Sequence, residues 1–287
     1  MDKEDGYRVA YLGPEGTFSQ DAAHLAFSNN ASFIPFGTIL LTAESVLRGT
    51  SNYAIVPSEN SIDGAINTVT DFFISHPSVR IAGEVSLLVR QNLIAARRIP
   101  LRTIKTVVSH PQALAQSRKW LKENLGEYDE IEAQSTAYAI ANLGQFGSLR
   151  TTAAIGTTRA SQLYKRVVLY SDIQSAANNT TRFWVLGTRD ALPTKADKTV
   201  LLFLGVGRIS DFLSALGSHS RRSRIELLRV ESRPTKKGLG SYHFLIEVGG
   251  HRLDKKIIGL LTALKKKQPY IKIRVVGSFS TKDQGSN

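Results

Sequence analysis

The stretch Asn178-Asn179-Thr180-Thr181-Arg182-Phe183-Trp184-Val185-Leu186 joins a small polar run to an apolar, strand-forming one. Thr181 puts a hydroxyl beside the guanidinium of Arg182, a pairing suited to gripping and hydrogen-bonding an anion. Upstream, short apolar runs alternate with short helical ones throughout residues 7–170. That alternation predicts parallel sheets covered by helices on both faces. Polar loops recur after strands in both halves, which points to two α/β lobes facing each other across a cleft. Residues 171–187 then return the chain from the second lobe to the first and bring Thr181 and Arg182 to the cleft.

Working outward, Tyr7–Leu12 reads as a buried strand, followed by Gly13-Pro14-Glu15-Gly16-Thr17-Phe18-Ser19 and a helix over 20–27. Strand, glycine-rich turn and helix together aim backbone N–H groups at an anion. Thr17 and Ser19 are candidate anion-binding hydroxyls, although glycine also serves such turns for geometry alone. Thr42 reads as the cap of a helix over 43–48. A strand over 53–57 leads into Ser58-Glu59-Asn60-Ser61-Ile62-Asp63-Gly64, with more polar groups than one helix cap needs. Both polar loops follow the carboxyl ends of strands, where open α/β sheets bind ligands. Further strands fall near 83–89 and 93–95, which divides the body at about 83/84. In the second lobe, Ser109-His110-Pro111-Gln112-Ala113-Leu114 opens a helix on which Gln116 projects from the same end. Ser135-Thr136 caps a helix over 137–143, with Ser135 read as a cap rather than a contact. His110 reads as structural, and Phe183 and Trp184 as core.

Composition narrows the function classes. The chain of 287 residues has no cysteine, which excludes disulfides and thiolate metal sites. Its six histidines are scattered without metal-ligand spacing, so no metal and no cofactor are expected. The N-terminal residues form no apolar signal segment and no run is long enough for a membrane helix, so the expectation is a cytoplasmic protein with no membrane partner. Net charge is +13, and residues 199–287 hold 17 Lys+Arg against 6 Asp+Glu. These basic residues are spread over several elements without an aromatic platform, which argues against nucleic acid and for a domain boundary near 193–198.

Beyond that boundary the pattern becomes strand, helix, strand, strand, helix, strand, the ferredoxin-like order. The reading places this unit at 199–277 and expects a disordered tail over 278–287.

Together these motifs resemble prephenate dehydratase. The resemblance rests on Gly13-Pro14-x-Gly16-Thr17-Phe18-Ser19, Pro57-x-Glu59-Asn60-Ser61-x-x-Gly64, Ser109 through Gln116, Ser135-Thr136, and Asn179-Thr180-Thr181-Arg182-Phe183, in that order along the chain. The C-terminal unit resembles an ACT domain through Glu231-Ser232-Arg233-Pro234. The resemblance implies a two-lobed, periplasmic-binding-protein-like catalytic body at 7–192, with lobes at about 7–83 with 171–192 and at 84–170. It also implies decarboxylating dehydration of prephenate to phenylpyruvate without a cofactor, in the monofunctional form of the enzyme. Thr181 takes the catalytic role at the leaving hydroxyl, with Glu59 as the alternative acid and Arg182 as a carboxylate clamp. Thr17, Ser19, Asn60, Ser61, Ser109, Gln116, Thr136 and Phe183 complete the substrate set. Gly207, Glu231, Ser232, Arg233 and Pro234 mark the expected phenylalanine effector site, where Arg208-Ile209 depart from the family's small residues. A homodimer or homotetramer is expected. Arogenate dehydratase and a non-catalytic amino-acid sensor remain the competing readings.

Overall fold

The computed structural model describes residues 6–27 and 31–281. In chain order, β1 (Tyr7–Leu12), α1 (Phe18–Ala26), β2 (Ala31–Phe36), α2 (Ile39–Leu47), β3 (Tyr53–Asn60), the short β4 (Gly64–Ala65), α3 (Asn67–Ser75) and β5 (Arg80–Leu88) come first. There follow β6 (Asn92–Ala95), β7 (Thr106–Ser109), α4 (Pro111–Asn124), β8 (Asp129–Glu132), α5 (Thr136–Ala141), β9 (Thr152–Gly156), α6 (Thr158–Leu163) and β10 (Val167–Tyr170). β11 (Thr180–Gly187) returns, and β12 (Asp197–Val206), α7 (Ile209–Arg222), β13 (Leu227–Pro234), β14 (Tyr242–Gly249), α8 (Lys255–Lys267) and β15 (Lys272–Ser280) complete the chain.

Three sheets result. The first runs β2-β1-β3-β11-β5, with β4 paired to β3; the second runs β10-β6-β9-β7-β8; the third runs β13-β14-β12-β15. The first two are mixed rather than parallel. β11 lies antiparallel to both β3 and β5, and β6 lies antiparallel to β9 and β10. The reason is connectivity. β11 re-enters after an excursion of some ninety residues, so no βαβ crossover dictates its direction.

The proposed division at 83/84 falls inside β5, which pairs continuously with β11 over this region. The chain changes sheets at residues 89–91 and again after 173. The two connections are tied to each other. Val89 N–H donates to Asn179 O at 2.8 Å, and Ile173 N–H donates to Gln91 O at 2.8 Å. Ile173 packs in the core of the second sheet, so the return to the first begins beyond it.

Two local expectations also change. Thr38, not Thr42, caps α2, accepting from Leu41 N–H at 3.1 Å. Thr42 lies one turn inside, and its hydroxyl donates to Thr38 O at 2.8 Å. At the C-terminal end, 278–280 belong to β15 rather than to a tail; residues 282–287 lie outside the described residues.

The third sheet is not a tethered satellite. One face packs under its own helices through Leu201, Phe203, Phe212, Leu216 and Leu260. The other face shares a core with the first sheet, in which Val200, Leu202, Leu245, Val276 and Phe279 meet Val56, Ile81, Trp184 and Leu186. Contact is close at Gly277, where an added Cβ would stand 2.2 Å from Ile81 O. No helix among the described residues is long and apolar enough to cross a membrane.

Candidate active site

A cavity of about 680 Å³ opens between the first and second sheets. Its wall draws on the β1–α1 loop, the ends of β3 and β11, the connection at 89–91, and the N-terminal ends of α4 and α5. Leu12, Phe18, Pro35, Phe36 and Val89 supply an apolar side; Ser19, Asn60, Gln91, His110, Gln112, Gln116, Thr136 and Thr181 supply a polar one. No described lining residue is Asp, Glu, Lys or Arg. The N-terminal ends of α1 and α4 both meet the cavity. α1 presents unpaired first-turn N–H groups with about half a positive charge. α4 begins at Pro111, and the N–H groups of Gln112 and Ala113 are taken up by His110, so it adds its dipole alone. An anion is therefore welcome without a fixed cation.

The β1–α1 loop is clamped from the far side. Thr157 Oγ1 donates to Gly16 O at 2.6 Å, and Tyr164 Oη donates to Glu15 O at 3.2 Å. Gly16 has φ +88°, and a Cβ there would come within 2.9 Å of the Ala160 Cβ, so both backbone and space require glycine. Thr17 lines the cavity, yet its hydroxyl donates to Leu12 O at 2.9 Å and is spent on holding the turn. Ser19 is buried at 6% exposure and its hydroxyl makes no hydrogen bond among the described residues. Of the two expected anion donors, Ser19 is the available one.

The polar centre is a short chain of hydrogen bonds. Asn60 Oδ1 accepts from the N–H groups of Ile62 (2.9 Å) and Asp63 (3.1 Å), which fixes the amide orientation. Its Nδ2 then donates to Asn179 Oδ1 at 2.8 Å and to Thr181 Oγ1 at 2.9 Å. Because Thr181 Oγ1 accepts there, its own O–H is left to donate into the cavity. On the facing wall, Gln116 Oε1 accepts from Gln91 Nε2 at 3.4 Å, leaving the Gln116 amide N–H groups free. Gln91 Oε1 is buried without a partner among the described residues. His110 caps α4 through Nδ1, which accepts from Gln112 N–H at 3.3 Å, so Nε2 is the ring's proton donor.

Several expected site residues stand elsewhere. Arg182, expected as a clamp, points away from the cavity, because successive strand residues face opposite sides. It lies 3.2 Å from Glu59 Oε2, 3.8 Å from Glu84 Oε2 and 3.4 Å from Glu247 Oε1. Glu59, the alternative acid, faces that same far side as Arg182's cross-strand partner. A bulge accounts for it. Between Arg182 and Phe183 the register with β3 slips by one residue, which leaves Ser58 extra and turns Asn60 rather than Glu59 toward the cavity. The Ser58 hydroxyl donates to Arg182 O at 3.1 Å.

Ser109 is fully buried, and its hydroxyl donates to Ile155 O at 2.8 Å. Ser61 binds the return segment instead, accepting from Thr180 N–H at 2.9 Å. Phe183 is core, packed with Val9, Tyr11 and Ile55. Thr136 lines the cavity, and Ser135 does so while capping α5 through Tyr138 N–H at 3.0 Å. Gln91 and Gln112 were missed as site residues. The one available signal was a polar Arg90-Gln91-Asn92 triplet between two apolar strands.

The expected effector residues divide across the edge strand β13. Glu231 accepts from Thr70 Oγ1 at 2.9 Å, and Arg233 pairs with Asp71 at 2.8 Å, so both face α3 of the first sheet. Ser232 and Pro234 are exposed on the opposite face. Arg208 follows Gly207 with its side chain 87% exposed and pairs with Asp211, so it crowds no described backbone pocket.

Known proteins resemble this chain over most of its length. The family model for prephenate dehydratase matches residues 9–191. A bifunctional chorismate mutase/prephenate dehydratase of Aquifex aeolicus is 35% identical over 280 residues, covering 96% of this chain and 74% of the relative. A prephenate dehydratase of Amycolatopsis methanolica is 32% identical, covering 96% and 89%. The crystal structure of the Arthrobacter aurescens prephenate dehydratase in complex with L-Phe superposes with a TM-score of 0.83 at 30% identity, covering 96% of this chain and 91% of that one. With the family match spanning the first two sheets and the relatives spanning nearly the whole chain, this chain belongs to the prephenate dehydratase family.

Proposed function

We propose that the cavity between the first and second sheets converts prephenate to phenylpyruvate, with Thr181 acting at the leaving hydroxyl. The observation that carries this reading is the Asn60–Thr181 hydrogen bond, which leaves the threonine O–H as a donor in an otherwise uncharged cavity. The reaction breaks the bond between ring carbon and hydroxyl and the bond to the ring carboxylate. The electrons of the departing CO₂ fill the aromatic ring, and the hydroxide takes up one proton and leaves as water.

Neutral walls suit this chemistry. A guanidinium on the departing carboxylate would stabilise it more in the ground state than near the transition state, where its charge is moving into the ring. The N-terminus of α1 with Ser19, Gln112 and the Gln116 amide recognises the carboxylates without that penalty. Thr181 polarises the leaving oxygen by hydrogen bonding. A threonine is too weak an acid to supply the proton alone. The neutral His110 ring, whose Nδ1 accepts from Gln112, adds only a hydrogen-bond donor at Nε2, so the departing hydroxide takes its proton from solvent. Gln91 Oε1 is an acceptor suited to the substrate's own hydroxyl.

Prephenate is favoured over arogenate because arogenate carries an ammonium group, for which the described wall offers no carboxylate. Assay of the purified chain with each compound separates the two. Phenylpyruvate from prephenate is expected, and faster phenylalanine release from arogenate would overturn the assignment.

The architecture is read as two lobes of periplasmic-binding-protein type with an ACT unit formed by the third sheet. L-Phe is the proposed effector, at the end of the third unit that carries Gly207 and the exposed Ser232 and Pro234. Assembly as a homo-oligomer through this unit would complete the effector site. Titration of L-Phe against turnover tests this, and no change at millimolar concentration would exclude it.

A further inference from the structure

The far side of β11, behind the cavity, holds a buried cluster of charges drawn from two sheets. Its hub is Glu247 on β14, whose side chain is 1% exposed. Lys198 Nζ donates to Glu247 Oε2 at 2.8 Å and reaches Glu84 Oε2 at 2.6 Å. Arg229 Nη1 lies 3.3 Å from Glu247 Oε1, and Arg182 Nη1 lies 3.4 Å from both of its oxygens. Arg182 also holds Glu59 of β3 at 3.2 Å. A carboxylate of the third sheet thus grips the residue next to Thr181.

Attachment of the third sheet does not require this cluster. The shared apolar core already joins the two sheets, and Arg233–Asp71 joins them again beside α3. A buried ion pair seldom stabilises more than apolar residues of the same volume. What the cluster adds is location. Backbone pairing of β11 with β3 is irregular here, where the bulge in β3 falls between the partners of Arg182 and Phe183. The other irregularity of β11, against β5 between Val185 and Leu186, lies farther from Thr181. The side chain of Arg182, pinned on both sides, supplies the constraint that the ladder lacks there. Burial acts to raise the Glu247 carboxyl, but Lys198, Arg182 and Arg229 outweigh it and hold the group below the ordinary value, so it stays ionised and keeps its grip at neutral pH.

We propose that Glu247 of the third unit is a positioning residue for the reaction: by holding Arg182 against Glu59 behind β11, it sets the place of the Thr181 hydroxyl in the cavity. The inference rests on the assignment of Thr181 above. It makes turnover dependent on how the third sheet sits.

The test is a double-mutant cycle in the full chain, with prephenate as substrate and thermal unfolding as a check on folding. Glu247→Gln should lower kcat about tenfold and change KM less than about twofold, since displacing a catalytic group by a fraction of an ångström costs rate rather than binding. In the Thr181→Ala background, with residual turnover read at enzyme excess, the same change should cost less than about twofold. An unchanged kcat for Glu247→Gln overturns the proposal. So does an equal loss in both backgrounds, which would assign Glu247 a structural role only. If Glu247→Gln fails to fold, Arg182→Lys enters the same cycle: it keeps the charge but cannot span Glu59 and Glu247 together, and the same three outcomes apply. Normal turnover by Thr181→Ala is a separate result, which removes Thr181 from the mechanism and the positioning claim with it.

Discussion

Asn60 Nδ2 donates to Thr181 Oγ1 at 2.9 Å across the β3–β11 pair, and that one bond decides which way the threonine proton points. Thr181→Ala should lose most of its turnover with a modest change in KM. Asn60→Asp is the sharper variant: a carboxylate cannot donate, so it would draw the threonine proton toward itself and away from substrate. A loss of about 100-fold in kcat is expected, the usual scale for a displaced proton donor. Steady-state assay with prephenate checks it, and near-normal kcat would mean that the direction of the Thr181 proton is irrelevant.

Ser19 stands at the N-terminal end of α1 with an unspent hydroxyl, whereas Thr17 has none to spare. Ser19→Ala should raise KM by roughly tenfold, the value of one hydrogen bond to a charged group. Thr17→Ser, which keeps the turn-holding donor, should leave KM within about twofold. An unchanged KM for Ser19→Ala would show that its hydroxyl does not meet the substrate.

Asp71 is held below the ordinary carboxylate value first by its hydrogen bond from Arg233, which outweighs burial acting the other way. A carboxylate whose pKa is lower in the folded state stabilises the fold above its unfolded pKa and loses that contribution as pH falls through the folded value. Glu247 contributes with the same sign, while Glu84, raised chiefly by burial, contributes with the opposite one. Comparison with Asp71→Asn cancels the last two. The parent should lose more thermal stability than Asp71→Asn between about pH 6 and about pH 3; parallel curves would show that the Asp71–Arg233 pair adds nothing.

Gly277 presses on the Ile81 backbone closely enough that any Cβ must move one sheet. Gly277→Ala should destabilise the chain by about 1–3 kcal/mol, the range for overpacking a tight contact. Denaturant unfolding measures it. Gly249→Ala serves as control, since an added Cβ there would meet Glu226 Cβ at 3.6 Å, an ordinary van der Waals contact.

Much of this molecule is legible in its sequence. The ordered motifs led to the family, and Thr181, Ser19, Asn60, Gln116 and Thr136 were expected at a cleft they do line. What failed was facing. Strand alternation already placed Thr181 and Arg182 on opposite sides, and the attraction of a cation for a dianionic substrate hid that signal. Glu59 was harder, because its direction depends on one extra residue in β3, and bulges leave no reliable trace in a single sequence. Ser109 was lost to a neighbouring carbonyl that only the packed second sheet brings near. The mixed sheets were unreadable for a related reason: helix and strand periods identify elements but not the direction in which a strand re-enters after a long excursion.

The place of β11 between β3 and β5 bears on how the chain is made. During synthesis β5 emerges complete at residue 88, while its neighbour ends only at residue 187. At ordinary translation speeds the interval is about 5–20 s. Throughout it, β3 and β5 each offer an open edge of unpaired N–H and C=O groups, the template on which other chains add strands. Vectorial folding of the first sheet thus waits on the second, and a nascent chain stalled before residue 180 is the form most exposed to misassembly and most in need of a chaperone.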